Sequence, residues 1–185
     1  MEEIKQQSHN AYVALLRGIN VGGHHKVPMA ALRETLENME FQQVKTLLNT
    51  GNVLFEAEKE PEKVLSEKIA TQLEKTFGFP IPVIIRTAED LKKIVAADPF
   101  REIKVTPATR LYVSFLADTP KSKLSLPYTS PDESFRIISV IDRTVFSVLD
   151  LDKTRSVDAM KILEKEFGKN ITTRNWNTVI KIGQM

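Results

Sequence analysis

Ala11 to Leu16 form an almost wholly apolar run, which neither alternation nor helical spacing interrupts. Such a run predicts a strand buried on both faces, because a strand with one wet side would alternate. Beyond a glycine-rich loop, Met29, Leu32, Leu36 and Met39 recur at helical spacing, and Pro28 stands where a first helical residue is expected. Two strand-like runs follow, Val44 to Leu48 and Val53 to Ala57, around Asn49, Thr50, Gly51 and Asn52. Those four residues suit the positive φ of a hairpin turn, so the two runs are expected to pair antiparallel. Pro61 opens a second helix with Leu65, Ile69, Leu73 and Phe77 on one stripe, and Gly78 is placed to stop it. Ile81 to Arg86 then reads as a strand.

The order β-α-β-β-α-β predicts the split β-α-β arrangement of a ferredoxin-like unit. A third helix is expected from Ala88 to Ala97, carrying Leu91, Ile94 and Val95 and broken by Asp98-Pro99. A second series begins with the strand Leu111 to Leu116, passes through a Pro/Ser/Lys-rich stretch, and continues with Phe135 to Ile141 and Val145 to Leu151 around a turn. A helix is expected from about Ser156 to Phe167, ended by Gly168. The predicted class is therefore α+β: two ferredoxin-like (α-β plait) units in tandem, with helices packed on antiparallel sheets. Residues 1–10 read as a flexible lead-in that includes His9, residues 11–87 as the first unit, and residues 88–185 as the second, with a C-terminal helix. The order suggests duplication, yet no residue-by-residue repeat stands out. Ile171 to Ile182 fits a helix capped by Thr172 with Trp176, Val179 and Ile180 on one stripe, but also a strand along which Trp176, Thr178, Ile180 and Ile182 alternate.

Composition narrows the classes. The chain has 185 residues, 42% hydrophobic and 27% charged, which suits a globular protein with a substantial core. A net charge of +2 is far from the dense positive field of a dedicated nucleic-acid binder. With no cysteine, neither disulfides nor a thiolate-bound zinc are available. The first ten residues lack the apolar core of a signal peptide, and no apolar run approaches the roughly 18–20 residues that span a bilayer. A soluble, cytoplasmic protein without a membrane partner is expected.

The stretch LLRGINVGGHHKV, Leu15 to Val27, has the chemistry of an anion site: a strand, a glycine loop and a helix N-terminus that together point backbone N–H groups outward. Gly18, Gly22 and Gly23 do not make a dinucleotide-binding fingerprint, and His24 and His25 stand where a P-loop needs Lys and Ser or Thr. What survives is a helix end with no capping oxygen at Val27, between the cations Arg17 and Lys26. The ordinary alternative is a structural turn whose amides are hydrated. The adjacent histidines rarely direct both rings to one ion, and no three-ligand set is evident, so no metal is expected. Tyr12 could sit on an RNA-binding sheet face, but Gly51 to Phe55 supplies one aromatic where that pattern wants several. Near the C-terminus, Thr172 to Val179 gathers polar residues around Trp176, the chain's only tryptophan. There Arg174, if at a helix start, opposes the helix dipole and needs another reason to be present.

Together LLRGINVGG with Lys26 and Val27, then Thr50-Gly51-Asn52-Val53, then TTRNWNTV resemble an uncharacterised bacterial group, domain-of-unknown-function family 1697. The resemblance implies a soluble bacterial protein of two α-β plait units with no established reaction. It maps the family's motifs onto Arg17, Gly18, Asn20, Gly22, Gly23 and Lys26, onto Gly51 and Asn52, and onto Arg174 to Asn177. Its members frequently carry a lysine where this chain has His24.

No reaction or catalytic residue follows from the sequence, and no cofactor is expected. The leading expectation is a small anionic ligand, a nucleotide or phosphorylated metabolite, held at the glycine loop. Arg17, Gly18, Asn20, Gly22, Gly23, His24, Lys26, Asn52, Arg174 and Asn175 are the candidate ligand-binding residues. The alternative is a non-enzymatic nucleic-acid or protein interaction module in which these residues brace the interface between the two units. Oligomeric state is left open.

Overall fold

A computed structural model describes residues 9–153 and 158–185. The chain divides into two compact units, one ending at Leu91 and one spanning Lys92–Gln184. Both are α+β with an antiparallel sheet.

In the first unit the order is β1 (His9–Leu16), α1 (Met29–Glu37), β2 (Gln42–Leu47), β3 (Asn52–Glu58), α2 (Glu62–Phe77) and β4 (Val83–Thr87), in a sheet of order β2-β3-β1-β4. The apolar run behaves as its pattern requires: Tyr12 to Leu16 are all buried, on both faces of β1. Tyr12, Ala14 and Leu16 meet Leu32 and Leu36 of α1 and Leu65, Ile69 and Leu73 of α2 in one core. Tyr12 and Phe55, the aromatics weighed for base stacking, instead stack on each other there with ring centroids 5.8 Å apart. Gly78 ends α2 in the left-handed conformation at φ 80, which a residue with a Cβ resists.

Three local expectations need correction. His9 belongs to β1, opposite Glu58, rather than to a flexible lead-in. Pro28 is the residue before α1, extended at ψ 132, so the helix starts one residue later. The segment from Ile171 is neither all helix nor all strand: β9 (Ile171–Asn175) turns into α5 (Trp176–Gly183). Asn175, not Thr172, caps that helix, its Oδ1 accepting from the Asn177 amide at 3.0 Å. The helical stripe of Trp176, Val179 and Ile180 is realised in α5, whereas the alternation of Trp176, Thr178, Ile180 and Ile182 falls in that same helix and marks no strand.

The second unit contains α3 (Ala88–Ala97) from Lys92 onward, β5 (Thr109–Leu116), β6 (Tyr128–Thr129), β7 (Phe135–Ile141), β8 (Thr144–Asp150), α4 (Ala159–Phe167), β9 and α5. The expected start of α4 at Ser156 lies outside the described residues; Asp158 caps the helix through bonds from the Met160 and Lys161 amides. The sheet order β6-β7-β8-β5-β9 repeats that of the first sheet, with the short β6 added at an edge. Where the first unit has α1, the second has the Pro/Ser/Lys-rich segment and β6.

The strand registers reveal what the bare sequence hides. Val13 pairs with Arg86, and Val113 pairs with Arg174, at matching places in the two sheets. Tyr12 and Leu16 then correspond to Tyr112 and Leu116. Each arginine donates through Nη1 to the carbonyl before it, Ile85 at 2.7 Å and Thr173 at 3.0 Å.

Ser147 on β8 is fully buried, and its hydroxyl has no hydrogen-bond partner among the described residues. An unsatisfied buried hydroxyl costs ~1–3 kcal/mol. Ser147→Ala is therefore expected to stabilise the second unit by about 1 kcal/mol, once the small lost packing of the oxygen is allowed for. Urea denaturation at unchanged m-value checks it, and a loss of stability would contradict it.

Candidate functional site

The glycine stretch folds back on itself. Gly22 and Gly23 both adopt positive φ, 59 and 79, and the His24 amide donates to the Val21 carbonyl at 3.1 Å. Positive φ at both central positions is the requirement of a type I′ turn, which explains the glycine pair. The Asn20 amide donates to the His25 carbonyl at 3.0 Å, so residues 20–25 make a miniature hairpin.

The Asn20 side chain ties this hairpin to its surroundings. Its Oδ1 accepts from the Val27 amide at 2.8 Å, while its Nδ2 donates to the carbonyls of Val27 at 3.0 Å and Asn49 at 2.8 Å. One side chain therefore closes the loop and joins it to the β2–β3 turn. His25 stacks on Phe79 with centroids 4.5 Å apart, and its Nδ1 lies 3.3 Å from the Gly18 carbonyl. The expected open cradle is thus a braced hairpin, and the amides of Asn20, His24 and Val27 are used inside it.

Outward-facing amides lie one step further on, at the start of α1. The first intrahelical bond runs from the Leu32 amide to the Pro28 carbonyl at 3.0 Å, which leaves the amides of Met29, Ala30 and Ala31 without intrahelical partners. No side chain caps this end, and its first turn holds no acidic residue. The N-terminus of α2 is also uncapped by a side chain, but Glu62 in its first turn offsets the dipole. The α1 end borders an open depression of about 410 Å³, lined also by Asn20, Gly23, Lys26 and Asn49. Lys26 is exposed and makes no hydrogen bond or ion pair among the described residues.

Of the sequence candidates in this unit, Asn20, Gly23 and Lys26 line that depression. Arg17, Gly18, Gly22, His24 and Asn52 are not part of its lining. Arg17 is half-buried, and its amide donates to the Pro82 carbonyl at 2.9 Å. Asn52 is only 1% exposed, with Nδ2 donating to the Leu47 carbonyl and the Thr50 hydroxyl, both at 2.9 Å. Its hydrogen bonds hold the β2–β3 turn.

In the second unit Arg174 sits on a strand, so the argument from helix-dipole opposition falls. It is buried, and Nη1 donates to Thr172 Oγ1 at 2.8 Å as well as to the Thr173 carbonyl. Burial pushes its guanidinium down to about 10, which leaves it charged at neutral pH. Asn175 lines a separate cavity of about 350 Å³ with Asp98, Phe100, Leu111, Trp176 and Ile180. Trp176 is 7% exposed, edge-on to Phe100 at 5.3 Å, and so belongs to the packing of this unit. Among the described residues no group of three or more His, Cys, Asp or Glu could hold a metal ion, and no helix is long and apolar enough to cross a membrane.

Residues 9–146 match DUF1697, described as a protein of unknown function. The chain belongs to DUF1697. No curated protein matches it. Among solved structures it is similar to the conserved bacterial protein SP0830 from Streptococcus pneumoniae, with 23% identity, a TM-score of 0.67, and 96% of this chain and 98% of that one covered. At that identity the likeness establishes a shared fold.

Within this DUF1697 chain, two features of the depression escaped the sequence reading. Asn49 reaches it through the β2–β3 turn, which the Asn20 side chain ties to the glycine loop, and Met29 lines it at the first position of α1. A useful signal was available in Pro28: a proline ahead of an apolar helix stripe offers no capping side chain.

Proposed function

We propose that the protein binds a small anionic ligand, a nucleotide or phosphorylated metabolite, at the start of α1 beside the glycine loop. The observation that carries this reading is the uncapped, acid-free N-terminus of α1 opening with unpaired Lys26 into one depression. A helix end presents partial positive charge and donor amides to a phosphate, and Lys26 adds a full charge. In this reading the hairpin supplies rigidity, and Asn20 acts chiefly as its brace. Arg17, Gly18, Gly22 and His24 are proposed as the surrounding polar rim, and no catalytic role is assigned.

The fold reading goes with it. We read each unit as a ferredoxin-like α-β plait and the chain as a duplication in which the second copy lacks the first helix. The repeated strand order and the paired couplets Val13 with Arg86 and Val113 with Arg174 support this. A second functional reading, in which the C-terminal motif is a brace within an interaction module, is favoured by the buried, hydrogen-bonded state of Arg174.

The test is a thermal-shift screen with inorganic phosphate, ATP and sugar phosphates. A ligand at about 100 times its Kd stabilises the folded state by ~2.7 kcal/mol, a rise of roughly 5–10 °C for a chain of this size. Lys26→Ala is expected to weaken binding about tenfold while leaving the unliganded melting temperature unchanged. No shift with any phosphate compound, or a shift with inorganic phosphate or ATP that Lys26→Ala does not diminish, would overturn the reading.

A further inference from the structure

The second unit holds a polar cavity of about 410 Å³ that none of the three family-like motifs touches. Strand register explains its make-up. Thr129, Arg136 and Val148 are successive cross-strand partners over β6, β7 and β8, and Thr109 is the partner of Asp150. Asp150 lies two residues beyond Val148, so the period of two puts all five on one sheet face. Val148, only 4% exposed, is the apolar floor. Lys104 and Lys153 stand at the rim.

One wall is fixed before any ligand arrives. Asp132 Oδ1 accepts from the Ser130 hydroxyl at 2.7 Å, the Ser134 hydroxyl at 2.8 Å and the Ser134 amide at 3.1 Å. The Ser130 hydrogen bond is the largest of the influences that hold this carboxyl below its ordinary value. The turn that carries Glu133 and Ser134 into the cavity is therefore braced from behind, and a braced wall spares a ligand the entropy of ordering it.

The charges sort into those already used and those left over. Lys153 pairs with Glu133 at 3.5 Å. The Thr109 hydroxyl is engaged by Thr106. Among the described residues, the side chains of Lys104, Arg136 and Thr129 make no hydrogen bond or ion pair. Asp150 accepts from the Asp152 amide through Oδ1. Two unpaired cations and a hydroxyl thus accompany one carboxylate that can still accept.

We propose that this cavity binds a phosphate monoester of a small polyhydroxy compound, of sugar-phosphate size. The dianionic phosphate matches Lys104 and Arg136, with Arg136 supplying a two-pronged donor and Thr129 a third. Asp150 repels a bare polyanion but accepts from a ligand hydroxyl, which selects an ester over free phosphate. A single carboxylate ligand would leave one cation unmatched. The volume lies in the range of small-molecule sites. This site is independent of the one at α1.

Isothermal titration calorimetry with glucose 6-phosphate, inorganic phosphate and glucose tests it. Glucose 6-phosphate should bind at least about tenfold tighter than either of the others, and Arg136→Ala should weaken it by about tenfold or more. Arg136 is an exposed strand residue, so circular dichroism of that variant should be unchanged. Lys26→Ala should leave this binding intact, which separates the outcome from that of the α1 site. Absence of millimolar binding, equal affinity for free phosphate, or indifference to Arg136→Ala would each overturn the proposal.

Discussion

Gly51→Ala is expected to destabilise the first unit by about 1–4 kcal/mol, one of the two largest effects foreseen for any single substitution here. Gly51 has φ 75, and a Cβ built on it falls 2.7 Å from Leu16 Cβ and 2.8 Å from Ile19 Cδ1. Leu16 is buried on β1, and its amide donates to the Gly51 carbonyl at 2.9 Å, so that neighbour has little room to retreat. Left-handed strain contributes ~1–2 kcal/mol and overpacking ~1–3 kcal/mol. The stiffer unfolded chain returns less than about 1 kcal/mol. Gly22→Ala is the control: its φ is also positive at 59, but nothing lies within 4 Å, so only the strain is felt. Chemical denaturation of both variants checks the difference, and equal losses would refute the packing part of the account.

Asn20→Ala should cost about 2–4 kcal/mol, because it removes three hydrogen bonds at once and strands the amide and carbonyl of buried Val27. Asn20 itself sits at φ 56, a conformation asparagine tolerates better than alanine. The expected signature is local as well as global. Amide exchange at Val27 and in the β2–β3 turn should accelerate together, since one side chain holds both. If exchange rises at Val27 alone, the bond to Asn49 is not the link described. Asp at this position is no substitute, because a carboxylate cannot donate to the two carbonyls.

The regular elements were largely legible in the sequence because period and punctuation agreed. The stripe of α2 closed by Gly78, and the unbroken run of β1, each left one physical solution. Legibility ended where a residue's partner is distant along the chain. The glycine loop looked like a phosphate cradle because glycines and cations are common to cradles and hairpins alike; what separates them is the target of Asn20, seven residues away at Val27 and 29 away at Asn49. Arg174 looked like a residue in need of a ligand because the segment's pattern did not place the change from strand to helix at Asn175. The cavity over β6, β7 and β8 was invisible for the same reason, since its residues become neighbours only through strand register.

The braced hairpin has a kinetic meaning. A loop that must be ordered by its ligand imposes a slow step that saturates as ligand concentration rises, whereas a surface already in place meets its ligand in one event. With the Gly22–Gly23 turn and the Asn20 clamp formed in advance, association of the anionic ligand proposed for the α1 end should proceed in a single phase whose rate climbs in proportion to ligand concentration. Loss of the clamp would then be felt first as a hesitation in arrival, before any change in the contacts made on arrival.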